Sequence, residues 1–241
     1  MKNDEKLLIY MHIPKTGGTT MKNIIQKQYD PREVWFHMEK DMLPKLEQKL
    51  KKKDLKCVGG HCWYGLHQHF HKPYTYFTML RDPIDRVVSE YYYILERPHH
   101  KAYPAVVTMD LMDFIQEFPL KSSNQHTRRI SGNIKSPNLE AAKENIKNDF
   151  AIVGLSEMFD ESLFLMKKAF GWDDITYQKV NVTKKRPSIE KLPKNVVAEL
   201  EIRNELDLKL YDFSKKLLLE KIDQLDFRSK RELKNYMNIQ N

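Results

Sequence analysis

The stretch LLIYMHIPKTGGTT, residues 7–20, constrains the fold of this chain more than any other segment. An apolar run from Leu7 to Ile13, broken only by His12, meets a lysine and a glycine-hydroxyl loop. From Thr19 onward, TTMKNIIQKQY carries apolar residues at helical spacing. The run suits a buried parallel strand, so the segment predicts strand, loop and helix in succession. Gly17 and Gly18 let the loop turn tightly and bring backbone N–H groups close to an anion. Thr16, Thr19 and Thr20 add hydroxyl donors at the positive end of the helix, and Lys15 supplies a mobile cation. The pattern predicts a phosphate cradle, against the plain alternative of a strand, turn and helix with no ligand. It is not the nucleotide loop GxxxxGK[ST], whose lysine follows the glycines beside the helix, so an ordinary kinase or GTPase is disfavoured.

A second segment, YTYFTMLRDPIDRVVSEYYYILER at residues 74–97, again runs from a β-branched and aromatic strand into a helix. Asp82 fits the helix N-cap and Pro83 its first turn. Arg81 then falls at the carboxyl end of the strand, where open α/β sheets bind ligands. Ser89, seven residues after Asp82, shares a face with the helix start. An arginine and a hydroxyl at that place suit a second phosphate. The bland reading has Asp82 only capping, Arg86 pairing with Asp82 or Glu90, and Ser89 incidental; it leaves Arg81 unexplained.

PKTGGTT followed by RDPIDRVVSEYYY resembles the paired cofactor motifs of the sulfotransferases. The first resembles the loop for the 5′-phosphosulfate, and the second the 3′-phosphate site, of 3′-phosphoadenosine 5′-phosphosulfate (PAPS). Within that family the chain is most similar to the branch containing heparan sulfate 2-O-sulfotransferase and small bacterial relatives. Similarity extends to GHCWYG at 60–65, to residues 150–172 and to NVTKKRPSIEKLP at 181–193, whose first part, NVTKKRP at 181–187, is a basic loop. The resemblance implies PAPS as sulfuryl donor with no metal, a hydroxyl or amine acceptor that a carbohydrate would satisfy, and Lys15 on the leaving phosphate. It also implies that the basic loop closes over the cofactor, with Lys184, Lys185 and Arg186 as candidates. NQHTRR at 124–129 resembles an acceptor-side stretch, with Gln125 and Arg128 as contacts.

For the base, His61 is favoured: GH at the end of the strand LKCVGG puts an imidazole at the sheet's carboxyl edge, and imidazole titrates near neutrality. The 2-O branch implies a histidine pair in an HGH-like stretch, and Gly59 stands where the first is expected. His67 is next in line and is taken as an acceptor-side contact. The alternative for His61 is a structural histidine.

Charge enters as a filter on partners. A formal net charge of +8 suits an anionic cofactor, an anionic acceptor, nucleic acid or an acidic membrane surface. No nucleic-acid module is visible, and Tyr91, Tyr92 and Tyr93 read as helix packing rather than a stacking platform. A magnesium-dependent kinase would need an acidic ligand at a later strand end, which is not visible. The function classes are thus a sulfotransferase, another phosphate-loop nucleotide enzyme, or a noncatalytic polyanion binder. With no secretory signal and no apolar run long enough for a bilayer, the expectation is a protein without a transmembrane segment, cytoplasmic, unlike Golgi-type relatives with an anchor. Cys57 and Cys62 are too few for a disulfide framework. With His61, His67, His69 and His71 they raise zinc as an alternative, but the spacing matches no usual site.

The predicted organisation is one domain over residues 1–241, an α/β fold of three layers, P-loop-like, with a mainly parallel sheet flanked by helices. Strands are expected near 7–13, 55–59, 74–80 and 151–155, and helices near 19–28, 40–52 and 83–97. Residues 98–137 read as an irregular, partly helical insertion on the acceptor side. SEMFDESLFLMKKAFGW reads as a helix ending at its glycine. From 194 to 241 the chain reads as one or two long charged helices with Val197, Leu200, Leu206, Leu210, Phe213 and Leu217 on the inner face.

Overall fold

A computed structural model describes residues 6–36, 46–47, 50, 54–69, 71–178 and 186–240. Five parallel strands form its centre: β1 (Leu7–Met11), β2 (Val34–Trp35), β3 (Cys57–Gly60), β4 (Tyr74–Leu80) and β5 (Phe150–Leu155), in the order β2-β3-β1-β4-β5. Every residue of β1 is buried, because a central parallel strand is covered on both faces; hence its unbroken apolar run. Met11 pairs in register with Gly60 of β3 and with Thr78 of β4, so three strands end nearly level and release their loops from one edge.

Helix α1 (Gly18–Gln28) follows the glycine loop, and α2 (Pro83–Leu95) starts with Pro83 in its first turn and the Asp82 carboxylate accepting the Asp85 N–H at 2.8 Å, as expected. Residues 98–137 are more regular than the sequence suggests. They form α3 (Tyr103–Val106), α4 (Leu111–Glu117), α5 (Pro119–Ser122) and α6 (Gln125–Ser131). Helices α3 and α4 pack on α2 around a second apolar cluster that includes Val88, Ile94, Phe114 and Leu200, whereas Ile130 of α6 joins the main core. Two elements were not anticipated: the two-residue edge strand β2 and helix α7 (Leu139–Asp149). The expected helix at 40–52 lies mostly outside the described residues; positions 46, 47 and 50 are helical. Helix α8 (Phe159–Phe170) ends at Gly171 in the left-handed conformation, as expected.

The C-terminal region divides into three helices, α9 (Lys194–Arg203), α10 (Glu205–Asp223) and α11 (Phe227–Gln240). The inner line of α10 is Asp207, Leu210, Ser214 and Leu218, one position away from the predicted Leu206 and Leu217. A carboxylate on a buried helix face needs partners. Asp207 finds them at the start of α6, accepting the backbone N–H of His126 (2.9 Å) and Thr127 (2.7 Å). Asn124 reciprocates, its Oδ1 accepting the N–H of Leu206 and Asp207 at the start of α10. The two helices cap each other. Among the described residues no helix is long and apolar enough to cross a membrane.

Candidate functional site

A cleft of about 800 Å³ opens at the carboxyl edge of the sheet. Its floor is the loop after β1. Gly17 adopts φ +83°, where only glycine is free of strain, and α1 begins directly behind it. Gly18 is required for a different reason: a side chain there would start 1.7 Å from His12 Nε2. Lys15, Gly17, Gly18, Thr19 and Thr20 line the cleft. Thr16 does not; it is fully buried, and its hydroxyl donates to the Ile13 carbonyl at 2.8 Å, closing the loop from below. Lys15 is a non-glycine residue at φ +70°, a conformation costing about 1–2 kcal/mol. The Arg81 guanidinium, which donates to the Lys15 carbonyl at 3.1 Å, helps to hold it there. The lysine ammonium rests 3.6 Å from the centroid of Tyr93, and Arg97 covers the same ring at 3.7 Å. Burial, with Arg97 and Arg81 nearby, lowers the Lys15 pKa to about 8, against a partial offset from Glu90. Tyr93 therefore belongs to the cleft, whereas Tyr91 packs in the second cluster, donating to the Met109 carbonyl.

Arg81 and Ser89 meet as expected, Nη1 donating to Ser89 Oγ at 3.2 Å. Sequence reasoning passed over Asp85. Arg81 Nε donates to its carboxylate at 2.8 Å, and Arg186, arriving from the opposite loop, also binds it, with Nη2 at 3.1 Å from Oδ2. Burial would raise the Asp85 carboxyl, but the Arg186 hydrogen bond and the Arg81 charge outweigh it and hold it below its usual range. The carboxylate aligns two guanidinium groups on one wall. Lys184 and Lys185 lie outside the described residues. Phe159 and Tyr177, with ring centroids 4.9 Å apart, complete that wall beside Gly17.

His61 stands exposed on the cleft at the end of β3. Its Nδ1 is 3.1 Å from the His12 carbonyl. A carbonyl only accepts, so Nδ1 carries the proton and Nε2 keeps its lone pair. The protein atoms that crowd the ring from the cleft wall, then the Arg129 cation, lower its pKa, which favours the neutral ring at pH 7. A second imidazole stands beside it: His12, in the loop after β1, stacks on His61 with centroids 4.4 Å apart. Gly59 cannot carry one, because a Cβ there would lie 2.5 Å from the Phe36 ring and 3.0 Å from Tyr10 Cβ. Burial, with His61 next, lowers the His12 pKa to about 3, so it remains uncharged.

The structure does not bring the remaining predicted contacts to the cleft. His67 stacks on Tyr74 at 4.3 Å and shares a hydrogen bond with Tyr76 Oη, near the amino end of β4. Gln125 is buried, accepting from Arg86 at 3.1 Å. Arg128 turns back to the Ser123 and Ile134 carbonyls. Its neighbour Arg129 reaches the cleft, with Lys121, Arg97, His100 and Glu90 on the same side. The Lys121 ammonium pairs with Glu90 at 2.8 Å and outweighs burial in keeping that carboxyl below its usual range. Cys57 and Cys62 are buried free thiols. Among the described residues no three His, Cys, Asp or Glu side chains converge as metal ligands do.

Comparison with known proteins finds that a model described as "Sulfotransferase family" matches residues 1–214. A chicken (Gallus gallus) heparan-sulfate 6-O-sulfotransferase 2 is 24% identical over 96% of this chain and 71% of its own length. A mouse (Mus musculus) galactose-3-O-sulfotransferase 3 is 26% identical over 57% of this chain and 36% of its own. Neither carries the 2-O designation of the branch named above. A mouse sulfotransferase solved in complex with PAP overlaps 98% of this chain and 90% of its own, at 16% identity and a TM-score of 0.47.

Proposed function

The chain belongs to the sulfotransferase family, and from that premise we propose that it moves a sulfuryl group from PAPS to a carbohydrate hydroxyl. The observation that carries this reading is the convergence on one cleft of two separate groups of anion-type donors and an imidazole whose Nδ1 meets a backbone carbonyl. The donor groups are the Lys15–Thr20 loop and the Arg81–Ser89 pair. The names of the relatives support a carbohydrate acceptor.

In this reading the loop N–H groups, Thr19, Thr20 and Lys15 bind the 5′-phosphosulfate, and Arg81 with Ser89 binds the 3′-phosphate; Arg186 steadies Arg81 through Asp85. His61 Nε2 accepts the acceptor hydroxyl proton as that oxygen bonds to sulfur. The bond from sulfur to the 5′-phosphate oxygen breaks, and the charge left on that oxygen falls to Lys15 and the loop amides. Catalysis is then positioning and charge stabilisation, as in phosphoryl transfer. Helices α3–α6 form the acceptor side, and the cleft cations Arg97, just beyond α2, and Lys121 of α5 outnumber Glu90 and favour an anionic glycan.

The test is transfer of radiolabelled sulfate from PAPS to heparan sulfate, its desulfated forms and galactose-terminated oligosaccharides. Calorimetry with PAP and AMP accompanies it. Labelled glycan, and a PAP affinity at least tenfold above that for AMP, are expected. Equal affinity for the two nucleotides would remove the two-site assignment, and absence of label from every glycan would remove the acceptor class.

A further inference from the structure

Arg129 is only 8% exposed, yet it reaches the cleft. Its Nη1 donates to the carbonyls of His61 (3.1 Å) and Cys62 (3.3 Å), and its guanidinium lies 4.7 Å from the Trp63 ring centroid. Its own carbonyl accepts the Tyr64 N–H at 2.9 Å. Four consecutive residues after β3 are thus tied to one residue of α6. Among the described residues no carboxylate comes within ion-pair distance of this guanidinium, and its buried Nε has no partner. A charge buried so deeply without a counter-ion is costly, and what it meets there are the carbonyls of the turn that carries His61. The cost points to a use for the cation.

We propose that Arg129 is the positioning residue of the reaction, fixing through the His61 and Cys62 carbonyls where the His61 imidazole stands in the cleft. This deepens, and rests on, the reading of His61 as the base. Helix α6 is itself registered by the Asp207 cap, so the clasp links helix α10 to the turn that carries His61. The groups facing His61 are the Arg129 and Lys121 cations, the Glu90 carboxylate and the His12 carbonyl and ring. Burial and Arg129 lower the His61 pKa, Lys121 adds to them, and the His12 hydrogen bond and Glu90 oppose them. Loss of the Arg129 cation therefore raises it.

The direct measurement is a pH titration of ¹⁵N-histidine-labelled protein by NMR, without acceptor, the His61 resonances being identified by their loss in His61→Asn. In the wild type His61 holds its proton on Nδ1 and titrates below 6.5. In Arg129→Gln the titration moves up and the tautomers mix; in Arg129→Lys the charge stays and the titration moves less. Sulfate transfer from PAPS to heparan sulfate should fall about tenfold to a hundredfold in kcat in Arg129→Gln, the scale of a small misplacement. PAP affinity should stay within about twofold, and the loss should vanish in the His61→Ala background. An unchanged His61 tautomer and titration in folded Arg129→Gln would overturn the proposal, as would an equal kcat loss in both backgrounds. If Arg129→Gln does not fold, an unchanged tautomer and turnover in Arg129→Lys, whose shorter side chain does not bring its ammonium to where Nη1 meets both carbonyls, overturns it instead. Near wild-type turnover in His61→Ala would remove the base reading itself, and with it any catalytic role for the clasp.

Discussion

Truncating His61 removes the proposed proton acceptor and leaves every proposed phosphate contact in place. His61→Ala is therefore expected to lower kcat by about 10² to 10⁴, the usual contribution of general-base catalysis, with PAP affinity unchanged by calorimetry. A parallel loss of affinity would mean that the ring supports the loop through His12 instead. Lys15 behaves differently because it titrates near pH 8 in the free protein. Only the ammonium attracts phosphate, and a bound phosphate raises its pKa. PAP affinity should hold steady below pH 8 and fall as pH rises through it, a limb that Lys15→Met abolishes; an identical pH profile in the variant would sink this. The placing of Lys15, His61, Arg81 and Ser89 on one cleft was legible in the sequence because each sits at a strand end or one helical face from it. Arg129 was missed by one residue. Side-chain direction on a seven-residue helix depends on how that helix is rotated, and the rotation is set by Asp207, some eighty positions away. His12 was hidden inside an apolar run, where its partner across the sheet is invisible. Thr16 carried a donor of the right kind, but the turn consumed it.

At the scale of elements, the reciprocal caps of α6 and α10 govern more than their own ends. Asp207→Ala strips acceptors from two buried N–H groups and should cost about 3 kcal/mol in urea unfolding, with the slope unchanged. If the loss is within about 0.5 kcal/mol, the size of an ordinary surface change, the caps are incidental. The same contacts explain why the C-terminal region read as one or two helices instead of three. Asn204 is tolerable inside a helix on propensity, and it becomes a break through its amide, which reaches the Ser122 carbonyl at 2.7 Å. Strand β2, two residues long, offers no periodicity to detect. By contrast β1 and β4 were legible because buried parallel strands need near-continuous apolar runs.

For the whole molecule, the parallel sheet could be anticipated from the alternation of such runs with helical segments, while its strand order depends on pairings no local signal carries. That order has one further consequence. Since β1 and β4 are neighbours in register and Arg81 is bonded to the Lys15 carbonyl, the interval between the two anion sites is as rigid as the sheet itself. If the two sites hold the phosphates as proposed, the protein is expected to work as a caliper, judging how far apart two phosphates lie on a ribose and not merely how many there are. Adenosine 2′,5′-bisphosphate, equal in charge to its 3′,5′ isomer, should bind at least tenfold more weakly by calorimetry, a loss comparable to one charge-assisted hydrogen bond of about 1.5 kcal/mol. Equal binding of the two isomers would show a cleft that counts charge and is blind to spacing.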